Sequence, residues 1–115
     1  MKVREVAILG AGSWGTALAV HLARIGHDVR LWSRDSALAA AIVAQRVNAV
    51  YLPDVSLPDN VHVTTSLEHA LAGASLMVSA IPSHGCRLVV RAAAPYLRED
   101  ATIVSATKGL EPETM

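Results

Sequence analysis

Gly10-Ala11-Gly12-Ser13-Trp14-Gly15 follows directly on the apolar run Val6-Ala7-Ile8-Leu9 and opens a segment with helical spacing that extends to Ile25. Strand, glycine-rich turn, helix is the order a phosphate-binding turn needs, and each glycine has its own task in it. Gly10 lets the chain reverse sharply out of the strand. Gly12 lets the backbone approach a pyrophosphate that a Cβ would meet. Gly15 lets the helix pack closely on the strands. The first-turn N–H groups of such a helix have no carbonyl partner within it, so they face the phosphates, and the helix dipole adds to the attraction. Ser13 stands at the helix start, where its hydroxyl and N–H can meet phosphate oxygens or cap the helix. Trp14 is read as a backbone donor beside the pyrophosphate, as a core aromatic, or as both at once.

Downstream of this turn the chain alternates. Val3 to Leu9 is a first strand, nearly continuous in apolar residues and therefore suited to burial on both faces. Trp14, Ala17, Leu18, His21, Leu22 and Ile25 fall at helical spacing, which places His21 on the packed face, and Gly26 ends that helix. Asp28 to Trp32 is a second strand. Asp35 caps an alanine-rich helix running to Arg46. Asn48 to Asp59 holds two prolines and no sustained period, so it is expected to be a loop, long enough to hint at function. Val61 to Thr64 is a third strand, and Thr65 with Glu68 makes a capping-box pattern for a short helix to Ala72. Leu76 to Ile81 is a fourth strand, ended by Pro82. A helix that Ser83 can cap follows and stops near Pro95. Thr102 to Ser105 is a fifth strand.

Strands alternating with helices imply right-handed crossovers and a parallel sheet. The expected fold is therefore α/β: a Rossmann-like doubly wound parallel sheet of strand order 3-2-1-4-5 in a single domain over residues 1–115. Its ligand crevice lies where the first and fourth strands diverge.

Composition narrows the function. The 115 residues suit one domain, and a chain of this size buries roughly two-thirds of its unfolded surface, enough for a core without disulfide staples. Ten basic and ten acidic side chains cancel, so charge gives no reason to invoke nucleic acid or an anionic membrane. The start of the chain fits a secretory leader poorly, since Glu5, Trp14 and three glycines at motif spacing interrupt it. No apolar run approaches the ~20 residues of a membrane span. Cys86 is the only cysteine, which excludes an intramolecular disulfide and points to a reducing, cytoplasmic compartment. The five histidines are scattered with no i, i+4 pair, and Cys86 has only His84 nearby, so no metal site is expected.

The end of the second strand bears on which cofactor is bound. NAD-selective turns place Asp or Glu there, about 20 residues past the glycines, to hold the ribose 2′-hydroxyl. Here the residues are Trp32-Ser33-Arg34. Arg34 can meet a 2′-phosphate through charge-assisted bonds, whereas Asp35 sits where a helix cap is wanted. NADP(H) is favoured, with NAD(H) the alternative. Lys108 follows the fifth strand, at the edge where open parallel sheets bind ligands, and can meet an anionic substrate or the cofactor.

Five stretches together carry a resemblance. They are Gly10 to Ala19, Leu31-Trp32-Ser33-Arg34, Asn48 to Pro53 with Tyr51-Leu52-Pro53, Ala80-Ile81-Pro82-Ser83-His84, and Ala106-Thr107-Lys108-Gly109-Leu110-Glu111. On these the chain resembles the N-terminal part of bacterial NAD(P)-dependent glycerol-3-phosphate dehydrogenase. The glycine turn is shared with many dehydrogenases; the other stretches in combination are more specific. The Ala-Thr-Lys-Gly-Leu-Glu ending argues against another reductase of similar fold such as ketopantoate reductase.

The resemblance implies interconversion of dihydroxyacetone phosphate and glycerol 3-phosphate for phospholipid synthesis. It implies cofactor contacts from Ser13, Trp14, Arg34 and Tyr51, added to those of Gly10, Gly12 and Gly15, and a Lys108 that meets both cofactor and substrate phosphate. Family members continue into a helical second domain that supplies the proton-donating lysine, so no catalytic residue is expected within residues 1–115. The chain is then expected to be a fragment of a longer enzyme, inactive alone. The alternative is a stand-alone, non-catalytic nucleotide-binding or interaction module, with an exposed apolar surface serving a partner or a homodimer.

Overall fold

The computed structural model describes residues 3–81 and 83–105. Its centre is β1 (Glu5–Leu9), flanked by β2 (Asp28–Trp32) on one side and β6 (Leu76–Ser79) on the other. Beyond them lie β5 (Val61–Thr64) and β7 (Thr102–Ser105), giving a five-stranded sheet of order β5-β2-β1-β6-β7. All four pairings are parallel. Taken in chain order within this sheet, that is the expected third, second, first, fourth, fifth. The strand numbers differ only because two short strands, β3 (Val47–Asn48) and β4 (Leu52–Ser56), intervene as an antiparallel hairpin outside the sheet.

That hairpin corrects the loop expected over residues 48–59. Its strands carry no legible period because β3 is only two residues long and the register shifts at Val47/Asn48. What holds the hairpin is packing. Leu52 and Val55 lie half-buried against the core, and Leu57 just beyond them is buried in it.

Helices cover both faces of the sheet: α1 (Ser13–Arg24), α2 (Ser36–Gln45), α3 (Leu67–Leu71) and α4 (Ser83–Ala93), the last passing into a 3-10 turn at Ala94–Tyr96. Because successive side chains of a strand alternate, β1 sends Val6 and Ile8 into one layer and Ala7 and Leu9 into the other. Val29, Leu31, Val61 and Val78 join the first layer with Ala19, Val20 and Ile42 of the helices; Met77, Leu71, Ala70 and Val89 build the second. This explains why the first strand reads as a continuous apolar run. Each large side chain removed from water here contributes about 1.5–3 kcal/mol.

Two local expectations change. The residues of α1 buried against the sheet are Gly15, Thr16, Ala19, Val20 and Ala23, whereas His21 is exposed rather than packed. Small residues face the sheet because the glycine turn draws the helix close to it, and Leu18 and Leu22 are left half-buried at its flanks. The short helix α3 is capped by Ser66, whose hydroxyl accepts from the His69 N–H at 3.1 Å, one residue later than the Thr65 cap expected. Asp35 caps α2 as expected, through the N–H groups of Ala37 and Leu38. The capping assigned to Ser83 lies outside the side chains described.

Candidate functional site

At the C-terminal ends of β1, β2 and β6 the chain leaves a cleft of about 460 Å3, a size suited to a small-molecule cofactor. Three segments wall it: Gly10 to Trp14 after β1, Trp32 to Asp35 after β2, and Ala80-Ile81 after β6. Leu38 and Tyr51 close it from α2 and from the hairpin turn.

The first wall is shaped by its glycines. Gly10 adopts φ +118°, a conformation that L side chains rarely take, and its N–H donates to the Trp32 carbonyl at 2.9 Å, tying the turn to the end of β2. A Cβ on Gly15 would lie 1.9 Å from the Gly10 carbonyl oxygen and 3.3 Å from the Ala80 Cβ. Gly15 is therefore required first by the turn itself and only second by helix–sheet packing. Gly12 differs from both. A Cβ there would meet no protein atom within 4 Å. No contact within the protein requires glycine at this position, and the open space borders the cleft. A cradle of that kind, at the start of a twelve-residue helix, fits a pyrophosphate.

Ser13 is exposed at the first position of α1. Trp14 is 46% exposed and borders the cleft, so the reading as a core aromatic is set aside. Trp32, 7% exposed, is buried with its indole N–H donated to the Thr65 carbonyl at 2.9 Å. Ser33 is buried too, and its hydroxyl both donates to the Asp35 carbonyl and accepts from the Asp35 N–H, each at 3.1 Å. These bonds fix the path of the chain out of β2. One Asp35 carboxylate oxygen takes the N–H groups of Ala37 and Leu38 at 3.0 and 3.1 Å, so this acid serves the helix. Arg34 beside it is exposed, lines the cleft, and makes no hydrogen bond or ion pair among the described residues. Gly10, Gly12, Ser13, Trp14, Arg34 and Tyr51 thus share one cleft, with Gly15 directly beneath the turn. Lys108 lies outside the described residues.

Sequence reasoning passed over Asn48. It is fully buried, and its Nδ2 donates to the Ala11 carbonyl and to Thr16 Oγ1, both at 2.9 Å. An asparagine three residues before Tyr51 is a turn signal, but bonds spanning 37 and 32 residues have no local signature. Among the described residues no helix is long and apolar enough to cross a membrane, and no three His, Cys, Asp or Glu side chains gather as a metal site would need.

A parallel sheet of this order, with a glycine turn opening the first helix and a cleft above the central strands, defines a dinucleotide-binding domain of the Rossmann class. Residues 5–115 match the family described as NAD-dependent glycerol-3-phosphate dehydrogenase N-terminus. The chain belongs to that family.

Among its relatives, the glycerol-3-phosphate dehydrogenase (NAD(P)+) of Koribacter versatilis is 47% identical over 111 residues, covering 96% of this chain and 33% of the relative. That of Halorhodospira halophila is 50% identical over 109 residues, covering 95% and 32%. The chain therefore spans about a third of the length of these curated relatives. Among solved structures, glycerol-3-phosphate dehydrogenase from Coxiella burnetii superposes with a TM-score of 0.88 at 38% identity, over 92% of this chain and 33% of that one. A 2-dehydropantoate 2-reductase from Enterococcus faecalis, at 22% identity and TM-score 0.67 over 88% of this chain and 33% of that one, shares the fold alone.

Proposed function

We propose that residues 1–115 are the cofactor-binding domain of an enzyme that interconverts dihydroxyacetone phosphate and sn-glycerol 3-phosphate with a nicotinamide dinucleotide, feeding phospholipid synthesis in the cytoplasm. NADP(H) is the favoured cofactor. In this reading the pyrophosphate lies over Gly12 and the start of α1, with Ser13 and Trp14 beside it. Tyr51 walls the opposite side, and Arg34 takes the 2′-phosphate. Lys108 reaches both cofactor and substrate phosphate. When bound, the nicotinamide exchanges a hydride with the substrate carbon. In this reading the rest of the relatives' length completes the substrate site.

The observation that carries the cofactor preference is the division of labour after β2: Asp35 is engaged with the N–H groups of α2, while Arg34 stands unpaired at the cleft among the described residues. A guanidinium there favours a phosphate over a hydroxyl.

Both tryptophans of the chain line the cleft, so intrinsic fluorescence reports on it. Titration with NADPH and NADH is expected to quench that emission, with the tighter constant for NADPH. No response at about 1 mM, a weak-binding limit, overturns the reading. Arg34→Asp is expected to weaken NADPH about tenfold or more and leave NADH within about twofold, as for loss of a charge-assisted bond. Equal losses remove the 2′-phosphate role. The reaction itself is tested by reduction of dihydroxyacetone phosphate with a polypeptide of the relatives' full length that carries this domain.

A further inference from the structure

Tyr51 is 47% exposed, so its place at the cleft is not set by burial of its own side chain. Its backbone N–H donates to Asn48 Oδ1 at 3.3 Å. The other end of the same carboxamide donates to the Ala11 carbonyl and to Thr16 Oγ1. Ala11 sits between Gly10 and Gly12; Thr16 lies in the first turns of α1. One side chain therefore joins the glycine turn to the hairpin turn that carries Tyr51. The amide orientation follows from its partners, because a carbonyl oxygen can only accept and a backbone N–H can only donate. Asparagine alone supplies this set at this reach. Aspartate lacks the donors, glutamine is a methylene longer, and an apolar residue strands the buried Ala11 carbonyl.

We propose that Asn48 is a positioning residue for the cofactor: it pins the hairpin turn to the glycine turn, and affinity for the nicotinamide dinucleotide depends on the wall it thereby holds in place. This rests on the cofactor reading proposed above.

The test is NADPH titration of the whole chain, followed by tryptophan fluorescence, with urea midpoints measured in parallel. Asn48→Ala is expected to raise Kd about tenfold, the effect of losing a buried hydrogen-bonding group. Asn60→Ala is the control. It also removes two side-chain bonds to carbonyls, those of Ala23 at 2.8 Å and His27 at 2.9 Å, but at the far end of α1. It is expected to lower the urea midpoint and leave Kd within about twofold, since distant sites act independently. Tyr51→Ala closes a double-mutant cycle. If Asn48 acts through the Tyr51 wall, the double variant binds about as weakly as the weaker single variant rather than by the product of both losses.

An Asn48→Ala Kd within about twofold of the unsubstituted chain, a multiplicative double variant, or an equal loss in Asn60→Ala each overturns the inference. Should Asn48→Ala fail to fold, Thr16→Val removes one of the three bonds at constant shape; a Kd raised about threefold supports the inference and an unchanged one overturns it. Absence of binding by the unsubstituted chain overturns the cofactor reading itself, and this inference with it.

Discussion

A Cβ on Gly15 would stand 1.9 Å from the carbonyl oxygen of Gly10, a separation no packed structure sustains. The obstacle is backbone, so it cannot swing aside as a flexible side chain does. Either the turn opens or α1 moves off the sheet, away from the Ala80 Cβ that would also lie 3.3 Å from the added carbon. Overpacking of this kind costs about 1–3 kcal/mol and more where backbone must shift. Gly15→Ala is expected to lose at least 3 kcal/mol, or about that much, in urea unfolding followed by circular dichroism. A midpoint close to that of the unsubstituted chain would falsify the tight-turn account.

Gly12 separates stability from binding. Its φ of −78° and ψ of −169° are open to any residue, and an added Cβ meets nothing within 4 Å. Gly12→Ala therefore costs only the difference between glycine and alanine at a helix N-cap, about 1 kcal/mol or less. The same methyl group enters the space assigned to the pyrophosphate. The expected result is a nearly native urea midpoint together with NADPH affinity reduced by at least tenfold, or about that. Unimpaired binding would move the phosphate elsewhere in the cleft.

For Asp35 the expectation reverses. Its carboxylate takes two N–H groups of α2, so Asp35→Ala removes an N-cap and costs about 1 kcal/mol. Asp35→Asn keeps an acceptor oxygen at the same reach and is expected to retain most of that stability. Neither change is expected to shift the ratio of NADPH to NADH affinity in fluorescence titrations. A ratio that moves strongly toward NADPH in Asp35→Asn would return the acid to the ribose.

The comparison of Asp35 with Asn48 shows which parts of this fold could be read from the sequence. Asp35 acts on residues two and three positions ahead, and local chemistry is what a sequence displays. The central sheet was legible for a similar reason: β1 and β6 are buried on both faces and read as apolar runs, while β2 buries Val29, Leu31 and Trp32 and leaves the charged Asp28 and Arg30 half-buried. The cleft followed from the glycine spacing and the strand order. Asn48 acts across 32 and 37 residues, on partners that share nothing in sequence with it. The hairpin was hidden because its short, irregular strands take their stability from Leu52, Val55 and Leu57 packing on the core rather than from a repeating pattern. His21 misled because close approach of α1 to the sheet selects small residues for the buried face, which rotates that face away from the one marked by the larger apolar side chains. The one-residue slip from Thr65 to Ser66 reflects two adjacent hydroxyl residues with similar capping ability, of which only Ser66 lies three positions before the N–H it accepts from, that of His69.

Arg46 sets two opposing effects against each other. It ends α2 with φ 57°, the only positive φ outside glycine among the described residues. Replacement by glycine relieves that conformation, a gain of about 1 kcal/mol. The side chain, however, donates from Nη2 to the carbonyls of Pro58 and Val61, the latter at 3.0 Å, and so ties the end of α2 to the start of β5. Hydrogen bonds from a charged donor contribute about 1.5–3 kcal/mol. Loss of the guanidinium outweighs the backbone gain, and Arg46→Gly is expected to be destabilised by about 1–2 kcal/mol. Arg46→Lys keeps the charge and the strained backbone but loses the planar fork, and falls between the two. Urea midpoints rank the three chains: unsubstituted, then lysine, then glycine. A glycine variant more stable than the unsubstituted chain would show that backbone strain, not the bridge to Pro58 and Val61, dominates at this helix end.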